Sequence, residues 1–248
     1  MQPETLDRNG TIFGREAELT RLRTALAARR SFLFHGPRGA GKTLLMTSLV
    51  REDSKLLYCS GARSLEACMR TIGRLLANNG NRMAAGKLDT RKAISAVSLN
   101  GILRAALAVS AYTIVLDHCG FTSQSFVSGL SEIVVPSATP IVAIARSPHM
   151  EELGYIRKLF PFRSDNVELT NFAPATANNF VACAIATAQL HATNLPDFRE
   201  RLLNASAGNP GAILTMIQMA RQPKYRSGEQ ILFSPLYVDF RLRSEMLA

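Results

Sequence analysis

The sequence contains no apolar run of about twenty residues, so it offers no candidate for a membrane-spanning helix. Its start, "MQPETLDRNG", is polar and carries acids, unlike a secretory signal or a transit peptide, and the expected compartment is the cytoplasm. Cysteine is scarce. The four, Cys59, Cys68, Cys119 and Cys183, have no pair at CxxC spacing. That argues against a metal site and against a disulfide framework, and leaves buried core thiols as the expectation. The four histidines lack ligand spacing as well. Internal repeats and low-complexity segments are missing, so a solenoid or a disordered tract is not expected.

What is present is a core-forming composition with a charge surplus. The chain has 248 residues, of which 47% are hydrophobic, enough for one large domain or a domain with a small appendage. A net charge of +10 favours polyanionic partners: nucleic acid, an acidic surface or a nucleotide. The surplus is uneven. Between Gly61 and Ser110 there are eight Lys/Arg against two acids. Basic solvated helices account for this as well as a binding face does.

Hydrophobic periodicity organises the chain into alternating elements. Residues 11–29 turn at Gly14 and continue as an amphipathic helix. "SFLFH" (31–35), "KLLYCSG" (55–61), "YTIVLD" (112–117), "PIVAIAR" (140–146) and "NVELT" (166–170) read as strands. Helices are expected over "KTLLMTSLVRE", 64–79, 98–110 and about 123–134, with "GNRMAAGKLD" as a glycine-bearing loop. Strand–helix alternation implies an α/β fold with a parallel sheet covered on both faces. After Asn171 the pattern becomes helical, over 174–190, 196–206 and 210–221. The expected organisation is therefore an α/β domain over 1–171, a small helical lid over 172–222 and a tail over 223–248. In the tail, "ILFSPLYVDFRLR" suggests a hairpin or an extended arm.

"GPRGAGKT" fits the spacing G-x-x-x-x-G-K-[ST]. Glycines allow the backbone to wrap a phosphate and point its N–H groups inward, and the following helix aims its positive dipole end at the same anion. The candidate contacts are Gly36, Pro37, Arg38, Gly39, Ala40, Gly41, Lys42, Thr43 and Leu44. Lys42 would reach the β and γ phosphates, and the Thr43 hydroxyl would ligate Mg²⁺. A strand before and a helix after supply the context that this motif needs. The expected ligands are ATP or GTP with magnesium. In "YTIVLDHCG" an apolar strand ends in Asp117, the pattern of a residue that orients Mg²⁺ through water.

Taken together, "FGREAEL", "GPRGAGKT", "TIVLDH", "IVAIARS" and "GNPGAI", in that order, resemble the AAA+-related P-loop ATPases of the origin-recognition-like and STAND (signal-transduction ATPase) groups. The resemblance covers roughly residues 11–221. It implies ATP rather than GTP, with ADP as product, and no guanine-reading N/TKxD motif is visible. It also implies that Ile12, Phe13 and Gly14 lie along the adenine, with Arg15 and Glu16 closing that edge. Arg146 matches the sensor position facing the γ-phosphate, where an always-charged, fork-shaped guanidinium suits the task. Gly208, Asn209 and Pro210 match the motif whose proline packs on the adenine, and Asn-Pro is also an ordinary helix start.

Three departures qualify the resemblance. His118 stands where hydrolysing relatives carry an acid. His118 is the base, or another residue is, or turnover is slow; slow turnover is the expectation. No residue is compelling as an arginine lent to a neighbouring subunit of a homo-oligomer; Arg157 and Arg163, just before the fifth strand, are the candidates. The 27 residues after Arg221 are too few for a complete winged helix. The expected function is a nucleotide-dependent switch with weak ATPase activity acting on an unknown protein partner; the alternative is a DNA-associated helper ATPase linked to replication or transposition.

Overall fold

The structure, a computed structural model, describes residues 12–61, 64–88, 95–118 and 120–246. Cys119 lies outside the described residues, as do Arg63, Arg91 and Lys92 of the basic stretch. Contacts divide the chain into two units.

The first unit, Ala17–Gly36 and Lys42–Leu169, carries the sheet. Along the chain come α1 (Glu16–Ala27), β1 (Phe32–His35), α2 (Lys42–Glu52), β2 (Leu56–Ser60), α3 (Leu65–Asn78), α4 (Arg82–Leu88) and α5 (Ala96–Ala108). They are followed by β3 (Thr113–Asp117), α6 (Gln124–Val134), β4 (Ile141–Ala145), α7 (Met150–Leu153) and β5 (Asn166–Glu168). The five strands are parallel in the order β2-β3-β4-β1-β5. β1, β3 and β4 are buried at every position, which explains why they read as unbroken apolar runs. One face packs Leu33, Ile114, Leu116 and Ala143 with Ile72, Leu76, Leu103, Leu107, Leu130 and Ile133 from α3, α5 and α6. Serine side chains start three of these helices: Ser64, Ser95 and Ser123 accept from the amides of Ala67, Ser98 and Phe126. The register sets His35 beside Ala145, and Leu116 beside Ala143. The chain therefore leaves β1, β3 and β4 along one edge, at Gly36, His118 and Arg146. Ligands of parallel sheets bind at this carboxyl edge.

One sequence expectation fails here. The stretch expected as a loop contains α4. Asn81 starts it, its Oδ1 accepting from the amides of Met83 and Ala84, while its Nδ2 donates to the Ala106 carbonyl. Ala84 is fully buried, so a single cap and one small core residue make this helix worth forming despite its length of 7 residues.

The second unit holds the described residues 12–16, Pro37–Gly41 and 170–246. The three helices expected after Asn171 are α8 (Pro174–Thr187), α9 (Leu195–Ser206) and α10 (Pro210–Ala220). A two-residue hairpin, β6 (Arg226–Ser227) with β7 (Gln230–Ile231), leads into α11 (Phe233–Met246). A separate core joins Phe180, Val181, Phe198, Leu202, Ile213, Met216, Tyr225 and Leu236. The arm expected in the tail is thus mostly helix. Phe233, Leu236, Tyr237 and Phe240 recur at helical spacing and pack on this core, and Pro235 sits in the first turn, where its missing N–H costs nothing.

Cys59 and Cys68 are buried as expected, but Cys183 is exposed. It lies on α8, whose inward positions are taken by Ala177, Phe180, Val181, Ala184 and Ile185. Among the described residues no helix is long and apolar enough to cross a membrane.

Candidate functional site

In the sheet unit the site is built on the ends of β1, β2 and β3. Asp117 closes β3 with its side chain 2% exposed. Its Oδ2 accepts from the Thr43 hydroxyl at 2.8 Å and from the Tyr58 hydroxyl at 2.6 Å. Its Oδ1 accepts from the His118 backbone N–H at 2.7 Å and lies 2.9 Å from His118 Nδ1. A carboxylate only accepts, so Nδ1 carries the proton in this contact. Burial alone would raise the Asp117 carboxyl. The donors Tyr58, His118 and Thr43 outweigh it and hold the group below its ordinary value, so it is a carboxylate. Burial, reinforced by the Asp117 contact, pushes the Tyr58 phenol well above its ordinary value and keeps it a donor.

Lys42 begins α2, and its ammonium donates to the Gly36 carbonyl at 2.6 Å. Burial lowers its pKa; the carboxylates of Asp117 and Glu152 oppose that shift and the like charge of Arg146 adds to it. Arg146 follows β4, and its backbone N–H donates to Glu152 Oε1 at 3.0 Å. Glu152 Oε2 accepts from the Ser147 hydroxyl, fixing the turn that presents Arg146. Gly36 needs its missing side chain: a Cβ there would lie 2.0 Å from the Leu169 carbonyl oxygen. Of the candidate arginines for a neighbouring subunit, Arg157 donates to the Pro148 and Phe160 carbonyls, whereas Arg163 is exposed.

Thr43 and Asp117 are hard oxygen donors placed against each other, the donor set that suits Mg²⁺. This ion is commonly held by one or two carboxylates together with waters and substrate phosphates. No group of three or more His, Cys, Asp or Glu that could cage a metal occurs among the described residues. The residues therefore fit a magnesium ion that arrives with a phosphate.

In the helical unit, Pro37–Gly41 meets the residues singled out at both ends of the sequence motif set. Arg15 is 3% exposed. Its Nη2 donates to the Ala40 carbonyl at 3.2 Å and the Thr170 carbonyl at 2.8 Å, and its guanidinium carbon lies 4.3 Å from the Phe172 ring centre. Asn209 caps α10, Oδ1 accepting from the Ala212 amide, while Nδ2 donates to the Arg38 carbonyl at 2.8 Å. The Gly211 amide donates to the Gly39 carbonyl at 2.9 Å. Pro210 is buried at the first turn of α10. Ile12 is buried, and Phe13 packs on Phe172 and Phe180 with ring centres 6.3 and 5.4 Å away. Gly14 at φ +61° and Gly208 at φ +72° occupy backbone conformations that favour glycine. Gly208 is also close to the Phe172 carbonyl, 2.3 Å from where a Cβ would stand.

Sequence reasoning missed Tyr58, Glu152 and the Asn209 amide. Tyr58 had a readable signal, a hydroxyl inside the apolar run "LLYCS" of a strand next to the one ending in Asp117. Nothing in the sequence announced that Asn209 reaches Arg38, 171 residues away.

No protein-family model matches the chain, and no curated protein does. Solved structures do. A Walker-type ATPase of Pyrococcus abyssi superposes with a TM-score of 0.66 at 14% identity, covering 100% of this chain and 77% of that one. The Orc1 protein of Aeropyrum pernix, solved in complex with DNA, gives 0.60 at 16% identity, over 98% of this chain and 67% of that one. A STAND protein with a tetratricopeptide repeat sensor from Pyrococcus horikoshii gives 0.53 at 16% identity, over 98% of this chain and 34% of that one. The sheet order, the loop between β1 and α2, the aspartate ending β3 and these superpositions agree: the chain has the P-loop NTPase fold.

Proposed function

We propose that the protein binds ATP with magnesium and acts as a nucleotide-dependent switch that hydrolyses ATP slowly. The observation that carries this reading is the contact between Thr43 and Asp117 at the foot of a phosphate-binding loop, with Lys42 beside them. Magnesium would be held by Thr43 and, through water, by Asp117, and would neutralise phosphate charge. Lys42 and Arg146 would address the phosphate that distinguishes ATP from ADP. Ile12, Phe13, Gly14 and Pro210 remain the residues proposed for the adenine end. Slow turnover is supported by His118, an imidazole in the place of the expected acid. The proposed output is a change in α8–α11 that alters partner binding.

Calorimetric titration with Mg-ATP and Mg-ADP tests the switch, together with hydrogen exchange of α8–α11 in each state. Unequal affinities and a nucleotide-dependent change in protection are expected. Equal affinities with unchanged protection would remove the switch, since a ligand cannot shift states that it binds equally.

A DNA-associated role is the second reading. It is favoured by the +10 charge and by the exposed Arg70, Arg74, Arg82 and Arg104 of α3, α4 and α5. The superposition on a DNA-bound Orc1 structure points the same way.

A further inference from the structure

Three successive carbonyls of the phosphate-binding loop, those of Arg38, Gly39 and Ala40, accept hydrogen bonds within the helical unit. The donors are Asn209 Nδ2, the Gly211 amide and Arg15 Nη2. A trans peptide is planar, with its C=O and N–H pointing in opposite directions. Fixing the carbonyls of Arg38 and Ala40 therefore fixes the N–H groups of Gly39 and Gly41, which face away from the donors. The Ala40 N–H is already spent on the Pro37 carbonyl. Both side-chain donors are buried and held from elsewhere as well. Arg15 lies against the Phe172 ring and bonds Thr170, and Asn209 bonds Asn171 Oδ1 at 3.0 Å. Gly39, at φ +80°, needs its missing side chain in this arrangement, because a Cβ on it would stand 2.5 Å from Asn209 Oδ1.

We propose that Arg15 and Asn209 are positioning residues for the phosphate-binding loop: by holding its carbonyls they aim its amides, and so set triphosphate affinity from the helical unit without touching the nucleotide. This rests on the nucleotide-binding reading above and differs from the expectation that Arg15 lines the base. A guanidinium spent on two carbonyls and an aromatic face is committed to backbone geometry.

The test uses the full chain and two ligands, Mg-ATP and magnesium with inorganic tripolyphosphate, which has no base or sugar. Affinities are compared for the natural protein, Arg15→Gln, Arg15→Lys and Asn209→Ser. In Arg15→Gln both ligands should weaken in parallel by about tenfold, the equivalent of losing one well-placed hydrogen bond in the cradle. Arg15→Lys keeps one cationic donor and should recover part of the loss. Asn209→Ser keeps an acceptor for the α10 cap and removes the amide donor, so both affinities should fall with little change in melting temperature. Weaker ATP binding with unchanged tripolyphosphate binding would overturn the inference and make Arg15 a reader of the base. Unchanged binding of both ligands in the folded variants would overturn it too, leaving Arg15 a fold residue. Should Arg15→Gln not fold, Asn209→Ser decides alone. Failure of the natural protein to bind either ligand would instead overturn the nucleotide reading itself, and the inference with it.

Discussion

At residue 118 the backbone and the chemistry make separate demands. His118 has φ +56°, a left-handed conformation that histidine tolerates better than most residues with a Cβ. Its ring leans on Asp117 while staying 62% exposed. If hydrolysis is slow because this position lacks a carboxylate, His118→Glu should speed single-turnover phosphate release by about a hundredfold, the lower end of what a positioned base contributes. It should also cost about 1 kcal/mol of stability, since glutamate is less at ease at positive φ. No rise in rate would mean that the chemistry is limited elsewhere. The sequence made Lys42, Thr43 and Asp117 legible because their spacing is set by local geometry: one strand end, one loop, one helix start. Tyr58 and Glu152 were not legible, because their roles depend on neighbours brought close by strand pairing and by a turn.

At the scale of elements, the start of α10 does two tasks. Asn209 and Pro210 begin the helix by the ordinary rules of capping, and the same turn supplies donors to Arg38 and Gly39. Gly211 separates the two effects. In a helix, alanine is better than glycine by about 1 kcal/mol, so Gly211→Ala ought to stabilise α10. Here its Cβ would lie 2.8 Å from Gly39 Cα and 3.1 Å from the Gly39 carbonyl oxygen, both backbone. Gly211→Ala is therefore expected to weaken Mg-ATP binding, read by titration, and to lower the melting temperature despite the gain in propensity. Unchanged affinity would show that the loop can shift at no cost. The long, strongly apolar elements were legible from period alone, with bounds off by up to three residues. α4 and α11 were not. The first is a single cap followed by a short run, too little for a periodicity argument. The second hides a helical repeat of Phe233, Leu236, Tyr237 and Phe240 behind a proline that suggests a break.

At the scale of the whole molecule, charge separates the two functional readings. If duplex DNA is a partner, retention should fall by about 0.9 log units per log unit of salt for each phosphate neutralised. Charge-removing changes at Arg74, Arg82 and Arg104 should reduce that slope, as followed by fluorescence anisotropy of a labelled duplex. No retention at low salt, with and without ATP, would discard the DNA reading and leave the switch untouched. The division of the chain has a further consequence. Each unit is interleaved with the other in sequence: the helical one takes short stretches around residues 12–16 and 37–41 besides the long stretch from Thr170 onward. A single break in the backbone near Thr170 would strand Arg15 and the loop carbonyls on one fragment and Asn209 on the other. Neither half can then be excised, swapped or borrowed as a self-contained cassette.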